Sequence, residues 1–237
     1  MIMLDENNEE IIDVGDILDD ALTIGQKQLS EYESKKILSC FGIPVVQEIL
    51  AADLEETKAA VSQIGYPVVL KACSAEISHK TEAGLIAVDL RSESDLTDAF
   101  TRIVENTGED SEYLLVQEMI KGSRELVMGM TRDPQFGPCV MFGLGGIFTE
   151  AIGDVSFRAA PLTPQDAMEM MQEIRGRKIL SEIRGMPALD TDLLANCLLT
   201  LGEIGLDYDQ IRAIDINPMI ICGDRPVAVD ALVVLNS

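Results

Sequence analysis

Histidine occurs once among the 237 residues, at position 79. It sits in the polar run Ser74-Ala75-Glu76-Ile77-Ser78-His79-Lys80-Thr81-Glu82-Ala83-Gly84, between two apolar segments. A neutral imidazole nitrogen attacks phosphorus near neutral pH, because its ordinary pKa leaves a useful fraction unprotonated. The ammonium of Lys80 beside it suits a developing phosphate charge. A solitary histidine is more often structural or exposed. Here the loop position, Lys80 and the nearby Lys71 favour chemistry. Lys71 closes the apolar run Val68-Val69-Leu70. A lysine in that place either snorkels or is committed to an anion, and spacing leaves both open.

Two further segments carry oxygen and amide chemistry. Phe142-Gly143-Leu144-Gly145-Gly146-Ile147-Phe148-Thr149-Glu150 is a glycine loop after an apolar run. Glycine lets backbone amides approach an anion closely, although a tight turn between strands explains the same residues. The pattern is neither GxxxxGK[ST] nor GxGxxG, so P-loop and dinucleotide-binding readings fail. In Asp215-Ile216-Asn217-Pro218, residues 215 and 217 share one face of a strand by its period of two. With Asp230 on a neighbouring strand they form a hard-oxygen set suited to Mg²⁺. A turn whose Asp and Asn bond local backbone is the competing explanation.

The elements that must position these residues begin at Ser30. Residues 1–29 hold eight acids and one base, Lys27, and read as a solvated extension with a short helix near Ile17–Leu22. Ser30 and Glu33 spell a capping box, Ile37, Leu38 and Phe41 a helical stripe, and Gly42 with Pro44 its stop. A strand follows at Val45–Leu50, then a helix from the Asp53/Glu56 start to Gly65, a strand ending at Lys71, another at Leu85–Leu90, and a helix over 93–106. Strands are expected at Tyr113–Met119, Glu125–Met130 and Pro138–Phe142. The next part reads as mostly helical, with starts at Thr163-Pro164 and Asp190. Strands at 211–216, 218–221 and 227–230 close the chain. Interleaved helices and strands, some joined directly, indicate α+β rather than a regular parallel sheet.

Composition narrows the partners. Aromatic residues are 4 % of the chain, and 41 acids against 18 bases give a net charge of -23. Both facts oppose nucleic acid or an anionic membrane as partner. No apolar run approaches the roughly 20 residues that span a bilayer. The acidic N-terminus is unlike a signal peptide, so the cytoplasm is the expected location. Cys40, Cys73, Cys139, Cys197 and Cys222 are widely spaced with no CxxC, and read as small hydrophobes in a reducing compartment rather than zinc ligands or disulfides.

From about Leu29 to Leu235 the chain resembles the ATP-grasp (β) subunits of the NDP-forming acyl-CoA synthetases, of the ADP-forming acetyl-CoA synthetase type. The succinyl-CoA synthetase β subunit is a more distant likeness. The resemblance rests on Gly65-Tyr66-Pro67-Val68-Val69-Leu70-Lys71, Ser78-His79-Lys80-Thr81-Glu82, Val116-Gln117-Glu118-Met119, Glu125-Leu126-Val127-Met128-Gly129, Arg132-Asp133-Pro134-Gln135-Phe136-Gly137-Pro138, the glycine loop and Asp215-Ile216-Asn217-Pro218. It implies an ATP-grasp fold of two lobes with nucleotide between them, the smaller lobe spanning about 45–118. It also implies ATP/ADP and Mg²⁺, a separate CoA-binding α subunit in a hetero-oligomer, and reversible phosphoryl transfer through a histidine. By resemblance His79 would be that histidine, steadied by Lys80. Lys71 would grip the phosphates. Glu118 and the backbone at Met119 and Ile120 would hold adenine, and Glu125 the ribose. Gly145 and Gly146 would offer amides to the travelling phosphoryl group, with Arg158 adding positive charge. Asp215, Asn217 and Asp230 would carry the metal.

The chain departs from the family pattern in three places. Leu85 follows Gly84 where a second glycine is usual, Ala213 stands where an acid is common, and the acidic extension before Leu29 is not typical of the family. Two other functions fit an ATP-grasp chain: a stand-alone carboxylate–amine ligase, which would not need His79, and a non-catalytic nucleotide-binding scaffold. The acyl substrate is chosen mainly in the CoA-binding partner of such enzymes.

Overall fold

The capping box written at Ser30 forms as spelled. The Ser30 N–H donates to Glu33 Oε2 at 2.8 Å and the Glu33 N–H donates to Ser30 Oγ at 3.3 Å. It starts helix α2 (Glu31–Cys40), which Gly42 ends at φ +79°. In the computed structural model of the protein, residues 13–75, 84–107, 113–146 and 153–236 are described. His79 and Lys80 lie outside them, as do residues 147–150 of the glycine loop and residues 1–12.

The smaller sheet is built from β1 (Glu48–Ala51), β2 (Val68–Cys73), β3 (Ile86–Leu90) and β4 (Tyr113–Glu118), in the spatial order β1-β4-β2-β3 and wholly antiparallel. Helices α3 (Leu54–Ile64) and α4 (Glu93–Thr107) cover one face. The Asp53 carboxylate accepts from the Glu56 N–H at 2.9 Å to start α3, and Gly65 at φ +87° ends it. Val68, Leu70 and Ala72 of β2 point into this core, so by alternation Val69 and Lys71 take the other face. Val45 makes a lone bridge to Ala228 instead of opening β1.

The larger sheet runs β10 (Ala231–Leu235), β8 (Ile211–Cys222), β5 (Glu125–Asp133), β6 (Gly137–Leu144), β7 (Val155–Ala159), with β9 (Arg225–Ala228) pairing the far end of β8. Helices α5 (Pro164–Glu173) and α6 (Thr191–Asp207) pack on one face, and α2 packs on β10. α5 starts at the expected Thr163/Asp166 box with Pro at its first turn, and α6 at Asp190, whose carboxylate accepts from the Leu193 N–H.

Several expectations need correction. The segments 211–216 and 218–221 are one strand: Pro218 sits at a register shift against β5, where its missing N–H is not needed. The closing run 227–230 divides into the end of β9 and the link to β10. β7 was not anticipated, because its short, half-polar Val155-Ser156-Phe157-Arg158-Ala159 gives little periodic signal. The acidic stretch 1–29 does not hang free over its described part. Helix α1 (Val14–Thr23), capped by Asp13, buries Val14, Leu18 and Ala21 in the larger core, at i, i+4 and i+7. Of the cysteines, Cys73 and Cys197 are buried, but Cys40 and Cys222 are exposed. Burial pushes the Cys197 thiol up to about 12.

The burial of α1 fixes an expectation. Leu18 is fully buried, so Leu18→Ala should cost about 2–5 kcal/mol in urea denaturation. A solvated extension would show no change in midpoint.

Candidate functional site

The two sheets face one another across a cavity of about 420 Å³. Val69, Ile86, Val88, Met119 and Ile120 come from the smaller sheet and its exit, and Ile220 with Pro218 from the larger. These give apolar walls. Lys71, Gln117 and Glu118 on one side and Asn217 and Asp230 on the other supply the polar groups. A mostly apolar slot with a few converging polar groups is the usual form of a small-molecule site. Residues far apart in sequence, Lys71 and Asn217, therefore meet in one place.

Lys71 neither snorkels nor stands free. It is 6 % exposed, and its Nζ donates to Glu31 Oε1 at 2.7 Å and to the Val229 carbonyl at 3.1 Å. The same Glu31 oxygen accepts from Lys35 Nζ at 2.7 Å. Lys35 also pairs with Glu48 and reaches the Val229 carbonyl at 3.4 Å. Gln117 Nε2 bridges Glu48 at 3.2 Å and the Val229 carbonyl at 2.9 Å. Two lysines and two glutamates thus share one buried cluster. Burial works against the Lys35 charge, but Glu31 and Glu48 outweigh it and hold its pKa above the ordinary lysine value. Burial raises the Glu48 pKa, and Lys35 opposes that rise. The sequence reading missed Glu31, Lys35, Glu48 and Gln117. A signal existed for two of them: Glu31, Ser34, Lys35 and Leu38 fall on one helical stripe, which α2 buries.

Glu118 lies at the rim, exposed. Its N–H donates to the Gln47 carbonyl at 2.9 Å, and the Met119 N–H donates to the Pro67 carbonyl at 3.3 Å. The peptide after Glu118 is thereby held from behind, with Met119 and Ile120 against the cavity. Glu125 is placed beside the glycine loop rather than in the cavity wall. The Gly145 N–H donates to the Glu125 carbonyl at 2.8 Å. A Cβ on Gly145 would lie 2.9 Å from the Glu125–Leu126 backbone, and one on Gly146, at φ +66°, would lie 2.7 Å from Glu125 Oε2. The backbone contact requires glycine at Gly145, and the left-handed φ favours it at Gly146, where the near atom is the end of a flexible side chain.

Register settles the remaining residues. The rows Ile216–Met128–Phe142–Ser156 and Ile214–Met130–Val140–Arg158 lie on the helix-covered face, and the row Asp215–Gly129–Met141–Phe157 lies on the opposite face. Asp215 and Asn217 are therefore on the side of the cavity. Asp230 lies in the β9–β10 link, its carbonyl accepting from the Asn217 N–H at 3.2 Å. Desolvation by the surrounding protein, and then the Asp230 charge, push the Asp215 carboxyl above the usual range. Two carboxylates that disfavour each other's charge beside an amide oxygen fit a hard cation such as Mg²⁺, which keeps several ligands from water or phosphate. Among the described residues no group of three or more His, Cys, Asp or Glu is gathered for a metal. Arg158 corrects an expectation: it projects toward α5 and pairs with Glu173 at 2.5 Å and Glu169 at 3.7 Å, on the wrong face of the sheet to reach the cavity. His79 and Lys80 belong to the connection between β2 and β3, the strands that present Lys71 and Ile86 to the cavity.

Removing one partner from a buried charge cluster should be severe. Lys35→Met is expected to lose about 3–5 kcal/mol, and Lys35→Met with Glu48→Gln markedly less, in urea titrations followed by circular dichroism. Equal losses in both variants would mean that the charges are not coupled.

The ATP-grasp domain family matches residues 20–235. The chain is 41 % identical over 214 residues to the β subunit of acetate–CoA ligase [ADP-forming] I from Pyrococcus furiosus, covering 88 % of this chain and 92 % of that one. A solved acetyl-coenzyme A synthetase 1 from Ca. Korarchaeum cryptofilum, in complex with coenzyme A and Ca-AMPCP, superposes with a TM-score of 0.91 at 41 % identity, over 94 % of this chain and all of that one. A second structure of that enzyme, with coenzyme A and Mg-AMPPCP, has its phosphohistidine segment pointing towards the nucleotide-binding site. It gives a TM-score of 0.84 at 41 % identity, again over 94 % and 100 % of the two chains.

Proposed function

Since the chain belongs to the ATP-grasp family and, within it, to the β subunits of the ADP-forming acyl-CoA synthetases, we propose that its cavity holds ATP or ADP and that His79 carries the phosphoryl group. The reaction is ATP + carboxylic acid + CoA = acyl-CoA + ADP + phosphate. The observation that supports this placement is the meeting of Lys71 with Asn217 and Asp230 in one cavity between two sheets.

Each residue then has a physical task. The apolar walls and the backbone from Glu118 through Met119 to Ile120 take adenine, and Glu125, against the glycine loop, takes the ribose. Lys71 donates to the phosphates. Asp215, Asn217 and Asp230 hold Mg²⁺, which when bound neutralises phosphate charge. A neutral imidazole nitrogen of His79 attacks the γ-phosphorus. The new N–P bond forms as the bond to the β,γ-bridging oxygen breaks, and ADP leaves with that electron pair. Lys80 and the amides of Gly145 and Gly146 steady the transferred charge. The loop then presents phosphohistidine to a CoA-binding α subunit, where acyl phosphate and acyl-CoA interconvert. No helix among the described residues is long and apolar enough to cross a membrane, and all five cysteines are unpaired, which supports a place in the reducing cytoplasm.

A label experiment tests the relay. With γ-labelled ATP and Mg²⁺ the wild-type chain should acquire acid-labile, base-stable phosphate. His79→Ala and His79→Asn should acquire none and should support no acyl-CoA synthesis with the α subunit, while nucleotide still binds. Arg158→Ala, changed on the far face of the sheet, should label like wild type. Full acyl-CoA synthesis by either His79 variant would remove the relay and favour a ligase that works without the histidine.

A further inference from the structure

We propose that Glu31 is a positioning residue of the nucleotide site, holding the Lys71 ammonium at the cavity wall with one donor left for a phosphate oxygen. This rests on the reading of Lys71 as a phosphate ligand. An ammonium has three N–H donors. Glu31 Oε1 takes one at 2.7 Å and the Val229 carbonyl a second at 3.1 Å. No third acceptor meets Lys71 among the described residues, and it is buried yet lines the cavity, so the third donor is available to whatever enters.

Lysine carries a flexible four-carbon stem, and fixing it beforehand removes an entropy cost that a ligand would otherwise meet on binding. Glu31 is well placed to do the fixing because it is itself held. It is the first residue of α2, directly after the Ser30 cap, and the oxygen it offers Lys71 also accepts from Lys35 at 2.7 Å. Lys35 is in turn paired with Glu48. The chain of contacts therefore runs from a rigid helix start to the ammonium, through charges that burial keeps from straying into water. A pair needed only for stability has no reason to border the cavity, and buried ion pairs are often no better for stability than apolar residues of the same volume.

The test uses the full chain titrated calorimetrically with Mg-ADP, and separately with adenosine, which has the purine and ribose but no phosphate. Glu31→Gln keeps the shape and removes the charge. It should weaken Mg-ADP roughly tenfold, the scale of one impaired charge-assisted hydrogen bond, and leave adenosine unchanged. In a Lys71→Met background, adding Glu31→Gln should change the Mg-ADP Kd no further. If Glu31→Gln does not fold, Glu31→Gln with Lys35→Met removes one charge of each sign and leaves Glu48 and Lys71 balanced, and the same pattern is expected of it. Unchanged Mg-ADP affinity, an equal loss for adenosine, or losses that add to those of Lys71→Met would each overturn the positioning role. Should Lys71→Met alone bind Mg-ADP like wild type, the phosphate reading of Lys71 fails instead, and the two failures are told apart.

Discussion

One carbonyl oxygen, that of Val229, gathers donors from Lys71, Gln117 and Lys35 at 3.1, 2.9 and 3.4 Å. Around it lie two ammonium and two carboxylate groups withdrawn from water. Each such charge costs several kcal/mol to desolvate, and the cost is recovered only when every one has a partner in good geometry. The partners here come from both halves of the fold. Lys71, Gln117 and Glu48 belong to the smaller sheet, and Glu31, Lys35 and Val229 to the α2 and larger-sheet side. The two halves cannot separate at this point without stranding charge in a poorly solvated place. Packing of apolar side chains, which has no direction, could not fix their relative position in the same way. Val229 also precedes Asp230, so the contact that joins the halves brings Asp230 and the lysine to one cavity.

A second constraint acts within the larger sheet. Because a strand alternates, one residue separates the core from the cavity: Ile214 and Ile216 are buried under helices while Asp215 between them faces the other way. Gly129 opposite Asp215 has no room for a side chain, since a Cβ there would lie 2.3 Å from the Ile214 carbonyl oxygen. The register shift at Asn217-Pro218 then turns the end of β8 toward β9. A slip of one residue would bury Asp215 and Asn217 and expose two isoleucines. The same period puts Arg158 on the helix-covered face, where it pairs with Glu173 and Glu169.

Local signals in the sequence were legible where local chemistry decides. Ser30/Glu33, Asp53/Glu56, Thr163/Asp166 and Asp190 each start the helix they announce, because a cap is satisfied by residues within one turn. Lys71, Asn217 and Asp230, which line the cavity, stand out in their own segments, whereas Glu118 is marked only by the family resemblance. Less legible were features decided by distant partners. Asp16, Asp19 and Asp20 made α1 look solvated, although Leu18 on its other side meets the core. Pro218 looked like a strand break because its tolerance depends on a shift in a neighbouring strand. Glu31 and Lys35 carry no local mark of function beyond their shared helical stripe. Their burial follows from Glu48 and Lys71, 17 and 40 positions away from Glu31, which no window of local sequence brings together.

The overall charge of -23 raises the question of how such a chain receives a polyanion. Distance supplies part of the resolution. At physiological ionic strength charges separated by more than about 8 Å through water are largely screened, so the acidic helices on the exterior count for little inside the cavity. What counts is the local set. Among the described residues the buried cluster joins two positive and two negative groups, so in the proposed reading Lys71 would act through a directed donor rather than through excess charge. Across the cavity Asp215 is already pushed above the usual carboxyl range by burial and then by the Asp230 charge, so a phosphate alone is an unfavourable neighbour for it. A divalent cation would relieve this acidity, and in the proposed reading Asp215, Asn217 and Asp230 are the residues that would hold it. The residues proposed to hold the ion are thus the residues whose acidity would call for it.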